Sequence, residues 1–278
     1  MNVDIDKLIA GARVLIQKGG AKMPRDTRAK KNKPAEFQTP VACILLEGAN
    51  YNFGLFAEQF QKTWQYNTGP YRDGRTFGMI VDGMIIGCAL IPSPVTDPAL
   101  LQSARDSVLW PEAEICVSKH NAHLLVTLTR EKGPIPANVL LTKVIYCLLR
   151  QKNVTGVYLR PGLFEPAYYI KCAEPLFAEK LPTELWVHIN SIGFDKNEGF
   201  TFYTSGMNQF GKPEFEILET RSNFIDTYYM LKELIRVTIT SDAHYKDGDT
   251  VKSPDGGKFS LSVSNGVKAK GPAIKINM

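Results

Sequence analysis

The sequence predicts an α+β protein, with mixed or antiparallel sheets and helices packed against them. Three observations support this fold class. Short runs such as residues 258–263 alternate apolar and polar side chains, which is the period of a strand. Longer stretches such as 137–150 and 223–236 place apolar residues at helical spacing, and turn dipeptides such as Asp82-Gly83 join neighbouring runs. Because both parts of the chain combine hairpins with helices, we predict two related sheet-plus-helix halves.

The predicted first half, residues 41–182, begins with a continuous apolar run that is typical of a strand buried on both faces. An aromatic-rich helix follows. Asp97-Pro98 then supplies an N-cap and a first-turn proline for a helix that we expect to continue through Leu109. A wide apolar stripe predicts another helix, at 137–150, that packs on the sheet. The predicted strands of this half are 41–46, 76–81, 84–91, 123–129 and 154–159.

The predicted second half, residues 183–278, contains a stretch that reads strand, loop, strand. Glycines at 206 and 211 interrupt the loop, and Pro213 opens the following strand, where a missing N–H is tolerated. Asp247-Gly248-Asp249 predicts an exposed turn that leads into a strand rather than a calcium loop, because the spaced acidic ligands are absent. The other predicted elements are strands at 184–194, 200–206, 215–218, 258–263 and 273–277 and a helix at 223–236.

Two segments precede these halves. Residues 1–18 carry apolar side chains at helical spacing and predict an amphipathic helix, whereas residues 19–40 are rich in basic residues, proline and small residues and predict a flexible basic linker. The helix could dock on the body of the protein, which we favour, on a partner, or on a membrane surface. Its apolar positions are Ile5, Leu8, Ile9, Ala12, Leu15 and Ile16.

The composition, 44% hydrophobic and 22% charged, is ordinary for a globular protein. No apolar run is long enough to span a bilayer, and charged residues interrupt the N-terminus where a secretory signal would be apolar, so we expect a cytoplasmic protein. The five cysteines are scattered and form no Cys-x-x-Cys pair, which fits a reducing compartment. Basic residues concentrate in 18–33 without interleaved aromatic residues, so a nucleic-acid partner is not favoured.

The best chemical candidate is the segment 110–123, which holds two histidines, two carboxylates and a cysteine. A His-x-x-His pair can bind a metal on a helix, but His123 opens a predicted strand, so joint binding would need His120 in a loop that folds back. We therefore predict no metal, and the absence of a phosphate-binding loop or dinucleotide motif predicts no cofactor. No catalytic residue stands out. The candidate binding residues are Trp110, Glu112, Glu114, His120 and His123.

Six motifs along the chain carry a resemblance to a known family. They are Trp110-Pro, His123-Leu-Leu-Val, Glu184-Leu-Trp-Val, Thr204-Ser-Gly-Met-Asn-Gln-Phe-Gly-Lys-Pro-Glu-Phe-Glu-Ile, Asp247-Gly-Asp-Thr-Val and Gly271-Pro-Ala-Ile-Lys-Ile. With these motifs the chain resembles a bacterial family catalogued as the domain of unknown function 4261, and the similarity extends from about residue 41 to the C-terminus and is strongest over 184–278.

The resemblance implies a bacterial cytosolic protein, in a genetic context of secreted toxins or secretion machinery such as type VI secretion. It transfers no catalytic residues. We therefore expect a non-enzymatic protein-binding module, an immunity or accessory protein that neutralises a co-encoded toxin. The alternative is a metal-dependent hydrolase or other enzyme that uses Glu112, Glu114, His120 and His123. A homo-oligomer is also compatible with the sequence.

Overall fold

The computed structural model describes residues 41–66, 71–107, 110–129, 132–159, 162–193, 199–252 and 256–278. The predicted N-terminal helix (1–18) and basic linker (19–40) lie outside these residues. Within them, six α-helices accompany a seven-stranded antiparallel sheet and a six-stranded mixed sheet, which confirms the α+β class. None of the helices in the described ranges has the length and apolar character needed to cross a membrane.

The first sheet is an open antiparallel sheet in which β2 to β5 follow one another as a meander. Its strand order is β2-β3-β4-β5-β1-β6-β7, so β1 lies between β5 and β6. Ala42, Ile44, Leu45 and Leu46 of β1 have no exposed surface, which confirms the prediction of a strand buried on both faces. The strands are β1 (Val41–Leu46), β2 (Tyr71–Asp73), β3 (Thr76–Val81), β4 (Met84–Ile91), β5 (Ala122–Thr129), β6 (Val154–Leu159) and β7 (Gly162–Phe164).

Five helices accompany this sheet. The helix predicted to continue through Leu109 ends at Arg105. The helix predicted over 137–150 starts earlier, at Pro134, because a proline in the first turn needs no hydrogen-bonded N–H. Asp97 caps its helix as predicted, by accepting from the Ala99 N–H at 3.0 Å. The helices are α1 (Phe53–Trp64), α2 (Pro98–Arg105), α3 (Ala113–Lys119), α4 (Pro134–Leu148) and α5 (Pro166–Ala173).

The second sheet has the order β11-β12-β13-β10-β9-β8, in which β10 and β13 run parallel. A sixth helix, α6 (Phe224–Thr240), packs Leu231 and Ile235 into the core of this sheet beside Phe215. The strands are β8 (His188–Gly193), β9 (Phe200–Ser205), β10 (Glu214–Thr220), β11 (Thr250–Lys252), β12 (Lys258–Asn265) and β13 (Pro272–Asn277).

The prediction of a strand over 184–194 was wrong at its start. Residues Thr183–Leu185 form a 3₁₀ turn, and β8 begins only at His188. Trp186 therefore does not share a strand face with His188. Its side chain is buried against the first half, where the indole Nε1 donates to Thr142 Oγ1 at 2.9 Å. A buried indole N–H requires an acceptor, and this contact helps to fix the second sheet against α4.

Candidate functional site

The segment predicted as a binding site, 110–123, is not one continuous surface. Trp110 is buried in a small core that also contains Leu45 and Leu163. Glu112 is exposed at the start of α3, and Glu114 is exposed on that helix, where it accepts from Arg105 Nε at 3.1 Å. The aromatic residue and the two carboxylates therefore point into different environments.

The two histidines of this segment hold the loop that precedes α2. His120 lies just after α3, at the C-cap position of that helix. Its Nε2 accepts from the Val95 N–H at 2.9 Å and its Nδ1 contacts the Val117 carbonyl, so both ring nitrogens are engaged. His123 donates from Nδ1 to the Ser93 carbonyl at 2.8 Å.

The geometry of these residues gives no support to the hydrolase alternative, which stays a prediction. A metal ligand needs a free lone pair on a ring nitrogen, and His120 uses its own for a backbone N–H. Within the described ranges, no three histidine, cysteine or carboxylate side chains lie close enough together to hold one ion.

We expect His123 to make the protein less stable in mild acid. Burial lowers the pKa of His123 below its ordinary 6.5. The unfolded chain therefore binds the proton first, and stability falls as the pH drops below about 6.5 until it reaches the folded-state pKa. Replacing His123→Asn, whose amide can still donate to Ser93, should reduce the loss of unfolding free energy between about pH 7.5 and about pH 5.5. Urea titrations at both pH values measure the unfolding free energy of each protein. An equal loss of unfolding free energy in the variant and in wild type would contradict the prediction.

A groove of about 940 Å³ lies between the two sheets. From the first half, α2, β7 and the start of α5 line it, and from the second half β8, β9 and α6 do so. We call this surface the inter-sheet groove. Its size is in the range of pockets that bind ligands or partner side chains.

The walls of the inter-sheet groove are rich in aromatic residues. Some apolar side chains at the groove remain accessible: Ile192 is 37% exposed, Ile225 is 60% exposed and Tyr229 is 62% exposed. Tyrosine is enriched where proteins contact each other, since its ring is apolar and its hydroxyl is polar. The aromatic residues that line the groove are Trp110, Phe164, Tyr168, Phe202, Tyr203, Phe224, Tyr228 and Tyr229.

Burial and ion pairing shift the pKa values of three side chains at or beside the groove, Lys232, His188 and Cys172. Burial would lower the pKa of Lys232, but the Glu184 carboxylate, 3.1 Å from its Nζ, raises this pKa above its ordinary value. Burial lowers the pKa of His188, which keeps the imidazole neutral. Cys172 does not line the groove, but its thiol contacts the lining residue Tyr168. Burial raises the pKa of this thiol, so the nucleophilic thiolate is disfavoured.

Two successive side-chain contacts link α4 to the residues that enter β8. Asn138 of α4 donates from Nδ2 to Gln209 Oε1 at 2.9 Å, and Gln209 Nε2 donates in turn to the Trp186 carbonyl at 2.8 Å. Together with the bond from Trp186 to Thr142, these contacts fix the 3₁₀ turn Met207–Phe210 against α4 and against the residues that enter β8.

The motif 204–217 builds this turn. Glu214 is buried, and its carboxylate accepts from Thr204 Oγ1 at 2.6 Å and from the backbone N–H groups of Gly206 and Met207 at 2.9 and 3.2 Å. Lys212 is also buried, and its Nζ lies 2.6 Å from Asp242 Oδ1 just beyond α6. The buried polar residues of the motif are therefore paired, Glu214 within the motif and Lys212 with a residue just beyond α6, and their visible role is to hold the fold.

A second buried carboxylate organises the loop between β12 and β13. Glu216 has no exposed surface, and it accepts from the backbone N–H groups of Val267, Lys268 and Ala269 at 3.0, 2.6 and 2.6 Å. Such an arrangement compensates a buried charge with backbone dipoles. Sequence reasoning did not identify this role, because the partners are about fifty positions away.

The comparisons with known proteins identify the C-terminal part of the chain. The family model of the domain of unknown function DUF4261 matches residues 203–277, which is narrower than the predicted similarity. Searches of curated proteins and of solved structures each gave no match. The matched range contains α6 and most of the second sheet but excludes β8, so the inter-sheet groove extends beyond the family domain.

Proposed function

We propose that this chain, whose residues 203–277 form a DUF4261 domain, is a cytoplasmic protein-binding module that receives its partner in the inter-sheet groove. The observation that carries the proposal is an aromatic groove with accessible apolar side chains, in which Ile225 and Tyr229 are more than half exposed. Exposed apolar groups that cluster in a concave surface are typical of interaction sites.

The electrostatics of the groove support binding rather than catalysis. Its lysine is paired with a carboxylate that raises the lysine pKa, so the charged amine is not available as a nucleophile. A catalytic group needs a pKa matched to its task, whereas the shifts here keep the cysteine and tyrosine groups protonated. The groups are arranged as they would be in a contact surface.

The partner we propose is a co-encoded secreted toxin, which would make this an immunity or accessory protein. The support is the family resemblance of the motif 204–217 together with a groove that could cover a segment of another protein. Loss of the gene should sensitise cells to the toxin. Survival of a toxin challenge without the protein would contradict the immunity role but not binding in the groove.

The groove proposal predicts that Ile225→Asp weakens partner binding at least about tenfold, since an interface anchor replaced by a charge loses about 1.4 kcal/mol or more. The partner is purified from native cells with the tagged full-length chain, identified, and rebound in pure form by calorimetry. Ile115→Asp is the matched control, because Ile115 is 57% exposed on α3 and does not line the groove. Equal affinity of Ile225→Asp and wild type would overturn the proposal.

A further inference from the structure

β8 is an edge strand of the second sheet. It pairs with β9 on one side, and on the other side no strand within the described ranges is paired with it. An edge strand carries a row of backbone N–H and C=O groups that can accept a further strand. Unlike the edge strands β2 and β11, β8 borders the inter-sheet groove.

The backbone edge of β8 faces into the groove. Five consecutive residues, His188, Ile189, Asn190, Ser191 and Ile192, line it. Successive side chains of a strand point to opposite faces, so one face of β8 could supply only alternate residues. An unbroken run of lining residues indicates that the groove follows the edge of the strand rather than one of its faces.

The opposite wall also contains the edge of a sheet. β7 is the last strand of the first sheet, and its Leu163 and Phe164 line the groove. The groove thus separates two sheet edges, with aromatic side chains of β9 and α6 forming part of its surface. A ligand that fits there must satisfy backbone hydrogen bonds along β8 and bury apolar side chains at the same time.

We propose that the inter-sheet groove binds an extended peptide segment of the partner, which adds to β8 as a new strand of the second sheet. This proposal rests on the proposed function and names the form in which the partner is bound. Strand addition combines backbone hydrogen bonds with pockets for alternate side chains. The six residues of β8 span roughly 20 Å, so a segment of similar length fits.

The charges of the groove favour a segment that carries a basic residue. Carboxylates outnumber basic side chains along the lining, and both basic groups already contact a carboxylate, Arg105 that of Glu114 and Lys232 that of Glu184. Burial and then the charge of Asp106 raise the pKa of Tyr203, which places this carboxylate near β9 across the groove. A lysine or arginine beside Asp106 would complement it.

Amide hydrogen exchange measured residue by residue in the full-length, isotope-labelled protein tests the proposal. The probe is a short peptide selected from a random phage-displayed library on wild-type protein and rejected if it also binds Ile225→Asp. The peptide should slow exchange at alternate residues of β8, because β9 already protects the others. N-methylation of the peptide N–H groups that point toward β8 should abolish binding, whereas N-methylation of the alternate N–H groups, which point away from β8, should leave binding intact.

Several outcomes would overturn strand addition. One is a peptide or native partner that needs Ile225 yet leaves the exchange of β8 unchanged, and in that case the proposed function stands. Failure to select any groove-dependent peptide is another. Protection of β8 from exchange in the free protein would identify a different occupant. The occupant is residues 1–40 if deleting them removes the protection, and a second copy of the chain if the protection depends on protein concentration. Loss of the Ile225 dependence with the native partner would instead overturn the proposed function.

Discussion

Replacing Glu216→Ala is expected to lower the free energy of unfolding by about 3 kcal/mol. The carboxylate has no exposed surface, and three backbone N–H groups of the loop between β12 and β13 donate to it. Truncation leaves these donors without their acceptor and opens a cavity between β10 and the loop. Because a whole domain is stable by only about 5–15 kcal/mol, the loss should be obvious in urea titrations.

A graded series separates the lost hydrogen bonds from the lost volume. Glu216→Gln keeps the shape of the side chain and one oxygen acceptor. Because Oε1 alone accepts from the N–H groups of Lys268 and Ala269, this variant should lose about half as much unfolding free energy as Glu216→Ala. Glu233→Ala removes an exposed carboxylate from α6 and should change stability little. The interpretation is wrong if Glu216→Ala is no worse than Glu233→Ala.

Much of the fold could be predicted from local patterns. The apolar run of β1, the Asp82-Gly83 hairpin and the strand Val154–Leu159 lie where the sequence placed them. Asp82 and Gly83 both have positive φ, as the turn of a two-residue hairpin requires. The helix of the second half also lies where predicted, although it continues to Thr240, beyond the expected end at 236. These elements share strong periodicity or a turn with a specific chemical requirement.

The short elements could not be predicted in the same way. α3 has seven residues, and β7 has three, so neither presents enough periodic positions to be distinguished from a loop. α5 starts at Pro166, a signal that was available and was missed. These elements matter for the candidate site, because β7 and the start of α5 form one wall of the inter-sheet groove.

The candidate site shows the same limit more strongly. The sequence singled out 110–123 because its histidines and carboxylates are close along the chain, but folding separates Glu114 from His120. The groove joins α2, β8 and α6, which are distant in sequence and carry no reactive motif. Only tertiary structure reveals such a surface, since each wall by itself resembles an ordinary amphipathic element.

Gly206→Ala is expected to destabilise the protein by about 3 kcal/mol and to disturb the groove. Gly206 has φ +123°, which L-residues rarely adopt, and a Cβ there would lie 2.7 Å from the Trp186 carbonyl oxygen. That carbonyl also accepts from Gln209, so it cannot retreat without losing the link to α4. Thermal and urea unfolding measure the loss of stability.

Gly211→Ala is the matched control, because Gly211 ends the same turn at φ +68° and nothing lies within 4 Å of an added Cβ. Its cost should be only about 1 kcal/mol, the penalty of a left-handed backbone. Similar losses in both variants would contradict the importance of the contact with Trp186. If the contact matters, Gly206→Ala shifts the residues that enter β8, and partner affinity should fall under conditions where the variant is still folded. Gly211→Ala should leave that affinity unchanged, which would link the family motif to the groove through the position of β8 rather than through any reactive group.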